Sequence, residues 1–373
     1  MADIASRLAR YHRQTLLPGI GQSGQMRLMQ SRALVVGCGA LGTVIAETLG
    51  RAGIGALIIV DRDVVELTNL QRQVLYDEED LKLGMPKAEA ARKKLARLNS
   101  SVRVDAHVDD FNVGNAARFA EQADIIMDGL DNFETRYLLN DLAVKLGKPY
   151  IYGGAVGTTG MSMTILPHPR HRQKGAGSKV VWSEQQATPC LRCVFPEAPP
   201  PGTSPTCDTA GVLGPVVNVI ASWQCAQALK LLTANIDAID RRMLNIDLWS
   251  NEIRQFDVGG ALSGETCPCC GQGNFEHLEG DAASRTTSLC GRNAVQISPA
   301  TEGQIDLAPI AMKLMSHGKL MANKYLIRCI MHAEKGTLGE PVELTLFPTG
   351  RAIIKGTDQP EVARSIYARY VGA

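Results

Sequence analysis

The sequence has few aromatic residues, no marked excess of charge of either sign and no long hydrophobic run. Phe, Trp and Tyr make up 5% of the 373 residues, and 39 Lys and Arg nearly balance 38 Asp and Glu. Without a basic surplus or a base-stacking surface, nothing indicates a nucleic-acid partner. No apolar stretch reaches the roughly 20 residues that span a membrane, and residues 1–10 lack the apolar core of a signal peptide. We therefore expect a cytoplasmic protein that does not associate with membranes.

The chain is long enough to bury a sizeable core and to form two domains. We predict a first domain over residues 1–275, a polar, glycine-containing linker over 276–288 and a small α+β domain over 289–373. The chain also contains ten cysteines. In a large protein without a secretion signal, cysteines indicate metal binding or catalytic thiols rather than disulfide bonds.

Short apolar strands alternate with helical segments through the first domain. The segments "RALVVG", "ALIIVDRD" and "ADIIMDGLD" have the composition of buried strands. The segments "ALGTVIAETLGRAGIG" and "GMPKAEAARKKLARLN" have the periodicity and end signals of helices, and "RRMLNIDLWSNEIRQFDV" indicates a hairpin. The alternation predicts an α/β protein with a doubly wound, Rossmann-like, mainly parallel sheet.

The segment "VVGCGALG" contains the G-x-G-x-x-G pattern of a phosphate-binding turn between a strand and a helix. Gly37 permits a tight turn, Gly39 a close approach of phosphate, and Gly42 close packing of the helix on the strand. Asp61 ends the next strand, nineteen residues after Gly42, where a carboxylate accepts hydrogen bonds from ribose hydroxyls. The pattern predicts a nucleotide site, although a glycine turn that binds no ligand has the same local sequence.

Polar and basic residues follow the second strand. Asn69 and Arg72 come shortly after it, and Lys87 begins the next helix. Two cations beside a phosphate turn suit a triphosphate whose α-phosphorus is attacked and whose pyrophosphate leaves, because they offset the charge of that transition state. A redox dinucleotide needs less positive charge, since its pyrophosphate rests mainly on backbone N–H groups. Either cation alone is more often a solvated surface residue, so the interpretation depends on their joint placement.

The segment "MDGLDNFETR" places three polar residues where the next strand ends: Asp128, Asp131 and Asn132. The carboxyl end of a parallel strand faces the ligand crevice, so Asp131 is a candidate ligand of Mg²⁺ on the phosphates. Helix capping is the alternative role for either aspartate.

Two C-x-x-C pairs lie about seventy residues apart: Cys190 with Cys193, and Cys267 with Cys270. Two such pairs fit a closed, tetrahedral Zn²⁺ site with a structural role. Cys269 is the spare thiol of the second pair, and a pairing of Cys267 with Cys269 stays open at this point. A redox-active C-x-x-C is the rival interpretation.

Cys207 follows a proline-rich segment, and a thiol beside a nucleotide crevice is a candidate nucleophile. An isolated cysteine is otherwise a small buried hydrophobe. We assign that ordinary role to Cys38, Cys225 and Cys329, which lie inside apolar patterns.

Taken together, these motifs resemble the ThiF/MoeB/HesA family, the bacterial relatives of ubiquitin-activating enzymes. The resemblance covers roughly residues 8–271 and many motifs in order, which makes chance agreement improbable. The matching segments are "RYHRQTLLPGIGQSGQ", "VVGCGALG", "DRDVVELTNLQRQ", "GMPKAEAA", "DGLDNFETR", "PCLRC", "TCDTAGVLGPVVNVIASWQCAQALKLL" and "CPCC".

The resemblance implies an adenylyltransferase. Enzymes of this family bind ATP with Mg²⁺ and adenylylate the C-terminal Gly-Gly carboxylate of a ubiquitin-like sulfur carrier protein, which prepares it for thiocarboxylate formation. The nucleotide and Mg²⁺ would be held by Gly37, Gly39, Gly42, Asp61, Asn69, Arg72, Lys87 and Asp131. No general base is required, because a carboxylate is already ionised at neutral pH.

The resemblance also implies partners. Arg13, in "YHRQ", matches an arginine that reaches the ATP site from the other subunit of a homodimer. Cys207 matches a cysteine that forms a covalent link to the carrier in some members and is dispensable in others. A sulfur donor protein is a further expected partner.

The chain departs from the family after about residue 280. The last ninety or so residues are too few for the rhodanese domain that commonly follows, and "SLCGRNAVQ" lacks its active loop. Cys290 is a candidate persulfide relay or an ordinary thiol, and the remaining residues are candidates for docking the carrier or a sulfur donor. The chain ends Val371-Gly372-Ala373 rather than Gly-Gly, so we do not expect it to be its own carrier.

Two other functions use the same features. A nicotinamide or flavin oxidoreductase would employ the same turn, but the cations and the lack of an evident hydride-transfer residue speak against it. A non-catalytic scaffold would bind a carrier and leave ATP intact. The sequence leaves open which carrier is activated, and therefore whether the pathway makes thiamine, molybdopterin, thiolated RNA or cysteine.

Overall fold

The computed structural model describes residues 8–168, 179–197, 210–261, 266–279, 286–289, 293–298, 303–337 and 339–372. These residues form two compact units. One ends at residue 279 and the other begins at residue 286.

The first unit is built on an eight-stranded sheet with the order β3-β2-β1-β4-β5-β6-β7-β8. Its strands are β1 (Arg32–Val36), β2 (Ala56–Val60), β3 (Arg103–His107), β4 (Ile125–Asp128), β5 (Tyr150–Val156), β6 (Thr159–Ile165), β7 (Met243–Asp247) and β8 (Glu252–Phe256). The first five are parallel, and β6, β7 and β8 continue the sheet in antiparallel fashion. The predicted doubly wound, mainly parallel sheet is confirmed.

The order of the strands reverses between β1 and β4. The chain first moves outward from β1 to β2 and β3, and then returns to place β4 on the other side of β1. In sheets of this kind the ligand crevice lies outside the carboxyl ends of the strands at such a reversal. The turn after Val36 and the loop after Asp128 both open at this position.

Helices cover both faces of the sheet. They are α1 (His12–Thr15), α2 (Gly21–Leu28), α3 (Ala40–Ala52), α4 (Glu78–Lys82), α5 (Lys87–Leu98), α6 (Val113–Glu121), α7 (Phe133–Leu146), α8 (Leu191–Val194), α9 (Gly214–Leu232) and α10 (Glu276–Glu279). Leu34 and Val36 of β1 pack with Phe119 of α6 and Leu139 of α7. Val35 points to the opposite face by the alternation of a strand, and on that side α9 packs against α3.

The helices that flank the crevice begin and end at clear local signals. Helix α3 starts after Gly39 and stops at Gly53, which has a φ of 87° that only glycine adopts readily. Helix α7 starts after Asn132, whose side chain accepts a hydrogen bond from the backbone N–H of Thr135. It ends at Gly147 in the same left-handed conformation. Both helix starts are therefore aimed at the carboxyl ends of β1 and β4.

The second unit is a six-stranded antiparallel sheet with the order β11-β12-β13-β14-β10-β9. Its elements are β9 (Thr286–Leu289), β10 (Ala294–Ile297), α11 (Leu307–Leu314), β11 (Gly318–Ala322), β12 (Ile327–Lys335), β13 (Pro341–Leu346), β14 (Ala352–Lys355) and α12 (Pro360–Tyr370). Leu314 of α11 and Ile366 of α12 share a core with Leu344 and Ile354. The unit has the α+β composition expected from the sequence.

Within the described part of the chain, no helix combines the length and the apolar character needed to cross a membrane.

Candidate functional site

The three glycines of the turn after β1 have different surroundings, so a side chain is excluded at each position for a different physical reason or not excluded at all. Gly37 has a φ of +82°, and a Cβ atom there would lie 2.7 Å from the carbonyl oxygen of Gly129. A Cβ atom on Gly42 would lie 1.9 Å from the carbonyl oxygen of Gly37. Packing within the protein therefore requires both of these glycines. Gly39 is different, because the nearest described atom beyond its chain neighbours, Nε2 of Gln73, would lie 3.9 Å from a Cβ atom.

The side chain of Asp61 is directed to the glycine turn after β1 rather than into solvent. Its Oδ2 accepts a hydrogen bond from the backbone N–H of Cys38 at 2.6 Å, and its Oδ1 accepts one from the N–H of Asp63 at 2.7 Å. Burial raises the pKa of the Asp61 carboxyl, and the nearby charge of Lys87 opposes that shift. The carboxylate is thus joined to the phosphate turn by a hydrogen bond that the sequence does not reveal.

Tyr76 connects the same turn to the start of α5. Its buried hydroxyl lies 2.7 Å from the carbonyl oxygen of Cys38 and 3.2 Å from that of Lys87. The thiol of Cys38 is fully buried, and burial raises its pKa to about 12. Cys38 therefore has no thiolate character near neutral pH, whereas Tyr76 holds its backbone in place.

Lys87 is buried and paired. Its Nζ lies 3.2 Å from Oδ2 of Asp63, and only 5% of the residue is exposed. Since burying an ammonium group is costly without a partner, the ion pair explains how the cation is retained at the start of α5. Lys87 is thus a positioned cation and not a solvated surface residue.

Asn69 and Arg72 lie on the segment between β2 and α4. The Asn69 side chain is buried and accepts a hydrogen bond from the backbone N–H of Glu66, which closes a 3₁₀ turn over Leu67–Asn69. Nη1 of Arg72 donates to the carbonyl oxygen of Thr68 at 2.7 Å. Asn69 therefore shapes the segment, and Arg72 is half-buried beside it.

The three polar residues after β4 have separate roles. Asn132 caps α7, so the capping alternative applies to it and not to either aspartate. Asp131 is exposed and lies within 3.4 Å of Nδ2 of Asn132. Asp128 is fully buried and forms an ion pair of 3.2 Å with Nε of Arg136, so it does not line the crevice as a free carboxylate.

Gln73 is a crevice residue that the sequence did not single out. It is 4% exposed, and its Oε1 has no hydrogen-bond partner among the described residues. Its Nε2 is the atom nearest to the open position above Gly39. A buried amide oxygen without a partner is unfavourable, so this side chain is suited to a polar ligand. A single glutamine, tyrosine or arginine gives no sequence signal of the distant residues that it will contact. For this reason Gln73, Tyr76 and Arg136 could not be predicted as crevice residues.

Four cysteines meet in one cluster formed by Cys190, Cys193, Cys267 and Cys270. Their sulfur atoms all lie within 4.8 Å of one another, and three of the separations are 3.8, 3.7 and 3.3 Å. A tetrahedral site with Zn–S bonds of about 2.3 Å separates its sulfurs by about 3.8 Å. The cluster could therefore hold a metal ion.

Cys269 lies next to the cluster, but its sulfur contacts an asparagine side chain. Its Sγ is 3.3 Å from Nδ2 of Asn140, on α7. Oδ1 of the same Asn140 accepts a hydrogen bond of 2.7 Å from the backbone N–H of Leu191, which follows Cys190. The structure thus assigns Cys270, and not Cys269, to the cluster, and one asparagine joins both C-x-x-C turns to α7.

The other candidate residues are distributed as follows. Arg13 is exposed on α1, and Cys225 and Cys329 are buried in their units as expected. Cys207 and Cys290 lie outside the described residues.

The fold and the crevice define a doubly wound α/β protein with a phosphate-type glycine turn and an attached four-cysteine cluster. The chain belongs to the ThiF family, whose model matches residues 11–269. The family expected from the sequence motifs is confirmed.

Relatives with assigned names cover different parts of the chain. The sulfur carrier protein ThiS adenylyltransferase of Bacillus subtilis is 41% identical over 364 residues, 97% of this chain and 99% of that protein. The sulfur carrier protein adenylyltransferase of Thermus thermophilus is 40% identical over 71% of this chain and 91% of its own length. The SAMP-activating enzyme E1 of Haloferax volcanii is 37% identical over 74% of this chain and 93% of its length.

Solved structures support the fold. The crystal structure of Escherichia coli MccB superposes with a TM-score of 0.57 and 23% identity, covering 72% of this chain and 73% of that one. At this identity the likeness concerns the fold alone.

Proposed function

We propose that the protein uses ATP to adenylylate the C-terminal Gly-Gly carboxylate of a ubiquitin-like sulfur carrier protein, preparing it for thiocarboxylate formation. The observation that carries the proposal is the open position above Gly39, at a helix start where Asp61, Lys87 and Gln73 converge. Membership of the ThiF family, with relatives named adenylyltransferases, supports the same chemistry and disfavours an oxidoreductase or a scaffold.

The residues present fit a nucleoside triphosphate. The N-terminus of α3 offers unpaired backbone N–H groups to phosphate, and the missing side chain at Gly39 leaves room for it. Asp61 lies at the end of β2, where a carboxylate accepts hydrogen bonds from ribose. Arg72 and Lys87 supply positive charge, and Asn69 shapes the segment that carries Arg72.

The reaction follows from charge and geometry. A carrier carboxylate oxygen attacks the α-phosphorus, a new C–O–P bond forms, the bond to the β-phosphate breaks, and pyrophosphate leaves. Lys87 and Arg72 stabilise the negative charge that builds up on the phosphate oxygens. Since the carboxylate is already ionised near neutral pH, no side chain needs to remove a proton.

Two metal ions are part of the proposal. We propose that Asp131 holds Mg²⁺, which would neutralise charge on the phosphates, because its exposed carboxylate follows the strand next to the glycine turn. We propose that the four cysteines hold Zn²⁺ in a structural role, since four thiolates leave no open coordination position for chemistry.

We propose a carrier of the ThiS type. The match to the ThiS adenylyltransferase of Bacillus subtilis extends over nearly the whole of both chains, and so includes the second unit. The match to the Thermus thermophilus protein covers 71% of this chain. The second unit, in the predicted domain over residues 289–373, is therefore proposed to serve carrier or sulfur-donor docking.

Further assignments rest on the resemblance. We propose a cytoplasmic homodimer in which Arg13 of one subunit reaches the ATP site of the other, as its exposure on α1 allows. Cys207 is proposed to form a covalent link to the carrier.

The test is exchange of labelled pyrophosphate into ATP, measured with purified sulfur carriers from the same organism. A ThiS-type carrier is expected to support exchange, and the same carrier without its terminal glycine is the matched control and is expected to be silent. Exchange with another carrier alone would revise the carrier assignment. Absence of exchange with every carrier would refute the proposed function.

A further inference from the structure

A buried ion pair lies directly beneath the loop that carries Asp131. Nε of Arg136, on α7, is 3.2 Å from Oδ2 of Asp128, at the end of β4. The hydroxyl of Tyr150 donates to the same Oδ2 at 2.7 Å. Asp128 is fully buried and Arg136 is 5% exposed. The pair is therefore a fixed element of the protein rather than a surface contact.

Both partners of the pair also hold the backbone that precedes Asp131. Nη2 of Arg136 donates to the carbonyl oxygen of Leu130 at 2.7 Å, and Oδ1 of Asp128 accepts a hydrogen bond of 3.0 Å from the N–H of Leu130. These two contacts fix the two peptide groups on either side of Leu130. Asp131 is the next residue, so its backbone position is set by the ion pair.

The geometry depends on a guanidinium group and not on positive charge alone. Nη2 of Arg136 reaches a second carbonyl oxygen, that of Gly153 on β5, at 2.9 Å. The guanidinium carbon lies 5.4 Å from the ring centre of Phe133 and 5.3 Å from that of Tyr152. A lysine would keep the charge but could not make these contacts at once, because its three N–H donors share one nitrogen atom and it has no planar group to lie against the rings.

The clamped loop touches the phosphate turn. A Cβ atom on Gly129 would lie 2.2 Å from the carbonyl oxygen of Gly37 and 2.9 Å from Cα of Gly42. The two backbones meet glycine against glycine, with no side chain between them. Fixing the loop after β4 therefore also fixes the distance between Asp131 and the turn after β1.

A buried ion pair is weak evidence for stability, since well-packed apolar residues of similar volume often stabilise a fold as much or more. Its value here is geometric. We propose that Arg136, acting through Asp128, is a positioning residue that sets Asp131 for Mg²⁺ on the nucleotide phosphates. The inference rests on the proposed function, because the Mg²⁺ role of Asp131 belongs to that proposal.

The test compares Arg136→Lys with Arg103→Lys. Nε of Arg103 lies 2.9 Å from Oδ1 of Asp105. Arg103 begins β3, at the edge of the sheet opposite the carboxyl ends of the parallel strands, so its variant is a control for the loss of a guanidinium away from the crevice. Three quantities are measured on the full chain: the melting temperature, Mg²⁺-dependent ATP binding by calorimetry, and the Mg²⁺ concentration for half-maximal pyrophosphate exchange.

We expect Arg136→Lys to raise the Mg²⁺ requirement by about 10- to 100-fold, the range found when partners of metal ligands are changed. Excess Mg²⁺ should restore much of the activity, and Arg103→Lys should leave the requirement unchanged. Asp128→Asn, which removes the charge from the other side of the pair, should shift the requirement in the same direction. A fall in melting temperature with an unchanged Mg²⁺ requirement in both Arg136→Lys and Asp128→Asn would overturn the proposal.

Different results would refute the role of Arg136 and the proposed function. If the wild-type protein binds ATP with Mg²⁺ but exchanges no pyrophosphate with any carrier, the proposed function fails and the binding measurement still decides the role of Arg136. If Asp131→Asn leaves the Mg²⁺ requirement unchanged, the positioning role is overturned even when exchange is normal.

Discussion

Gly42 of α3 packs directly against the backbone of Gly37, because a Cβ atom added to Gly42 would lie only 1.9 Å from the carbonyl oxygen of Gly37. No side chain fits between the turn and the helix that follows it. The contact keeps the start of α3 close to β1 and aims its first N–H groups into the crevice. Gly39, between these two glycines, makes no such contact.

The first prediction separates the glycines by substitution. Gly39→Ala should fold normally, because its Cβ atom has room, yet it should weaken ATP binding by about tenfold or more by filling the phosphate position. Gly42→Ala should lower the melting temperature strongly, since overpacking shifts the backbone. Calorimetric ATP titration and thermal unfolding measure the two effects.

Gly19→Ala is the matched control for both glycines, because no described atom lies within 4 Å of the added Cβ atom. It should change neither ATP affinity nor melting temperature by a measurable amount. Normal ATP binding by Gly39→Ala would contradict the placement of phosphate above this residue.

The second prediction concerns Asp131. Asp131→Asn removes the charge proposed to bind Mg²⁺ and should reduce carrier-dependent pyrophosphate exchange by about 10²- to 10³-fold, the loss expected for one electrostatic contact in a transition state. Glu134→Gln is the control, since Glu134 is an exposed acid in the first turn of the same helix. Equal losses in the two variants would show a general charge effect and no specific role for Asp131.

The third prediction distinguishes the two adjacent thiols of the second C-x-x-C turn. Cys270→Ser should lose the bound metal and lower the melting temperature, because Cys270 belongs to the four-sulfur cluster. Cys269→Ser should keep about one metal ion per chain, since its sulfur contacts Asn140 instead. Metal content by mass spectrometry decides between them, and metal loss in Cys269→Ser alone would reverse the assignment.

The fourth prediction follows from the raised pKa of Asp61. Burial raises the pKa, so the folded protein holds the proton more tightly than the unfolded chain, where the pKa is about 3.9. The contribution of Asp61 to stability is therefore greatest below that value and is lost as pH rises through the folded pKa. As pH rises from about 3.9 through the folded pKa of Asp61, the melting temperature of the wild type should fall relative to that of Asp61→Asn.

Asp240→Asn is the control for this pH profile. Burial tends to raise the pKa of Asp240, but hydrogen bonds from Arg242 outweigh it and the pKa is lowered. Asp240 is then ionised in both states from pH 5 to 8, and the difference from wild type should stay constant there. Parallel profiles for wild type and Asp61→Asn between pH 4 and 8 would disprove the assignment to Asp61.

Local features could be predicted from the sequence with good success. The buried strands around "ALVV" and "ALIIV" are continuous apolar runs, as expected for a parallel sheet covered on both faces. The hairpin from Met243 to Phe256 follows from short-range patterning. Helix α5 begins directly after Pro86, whose fixed φ suits the entry to a helix.

The roles within the crevice could not be predicted in the same way. The ion pair of Lys87 with Asp63 joins residues 24 positions apart, and the contact of Asp128 with Gln224 spans 96. Spacing along the chain carries no information about such pairs. The two carbonyl oxygens that the hydroxyl of Tyr76 contacts, those of Cys38 and Lys87, are likewise brought together by how β1 and α5 meet.

By itself, the sequence determined the glycine turn, the order of strands and helices, the two C-x-x-C pairs and the family, because these depend on neighbours a few residues apart. Only the tertiary structure decided that Cys270 and not Cys269 joins the cluster, that Asp128 is buried in an ion pair, and that Arg136 holds the backbone before Asp131. These choices depend on which side chains meet when distant strands pack side by side, and burial then makes each unpaired charge or donor too unfavourable to leave without a partner.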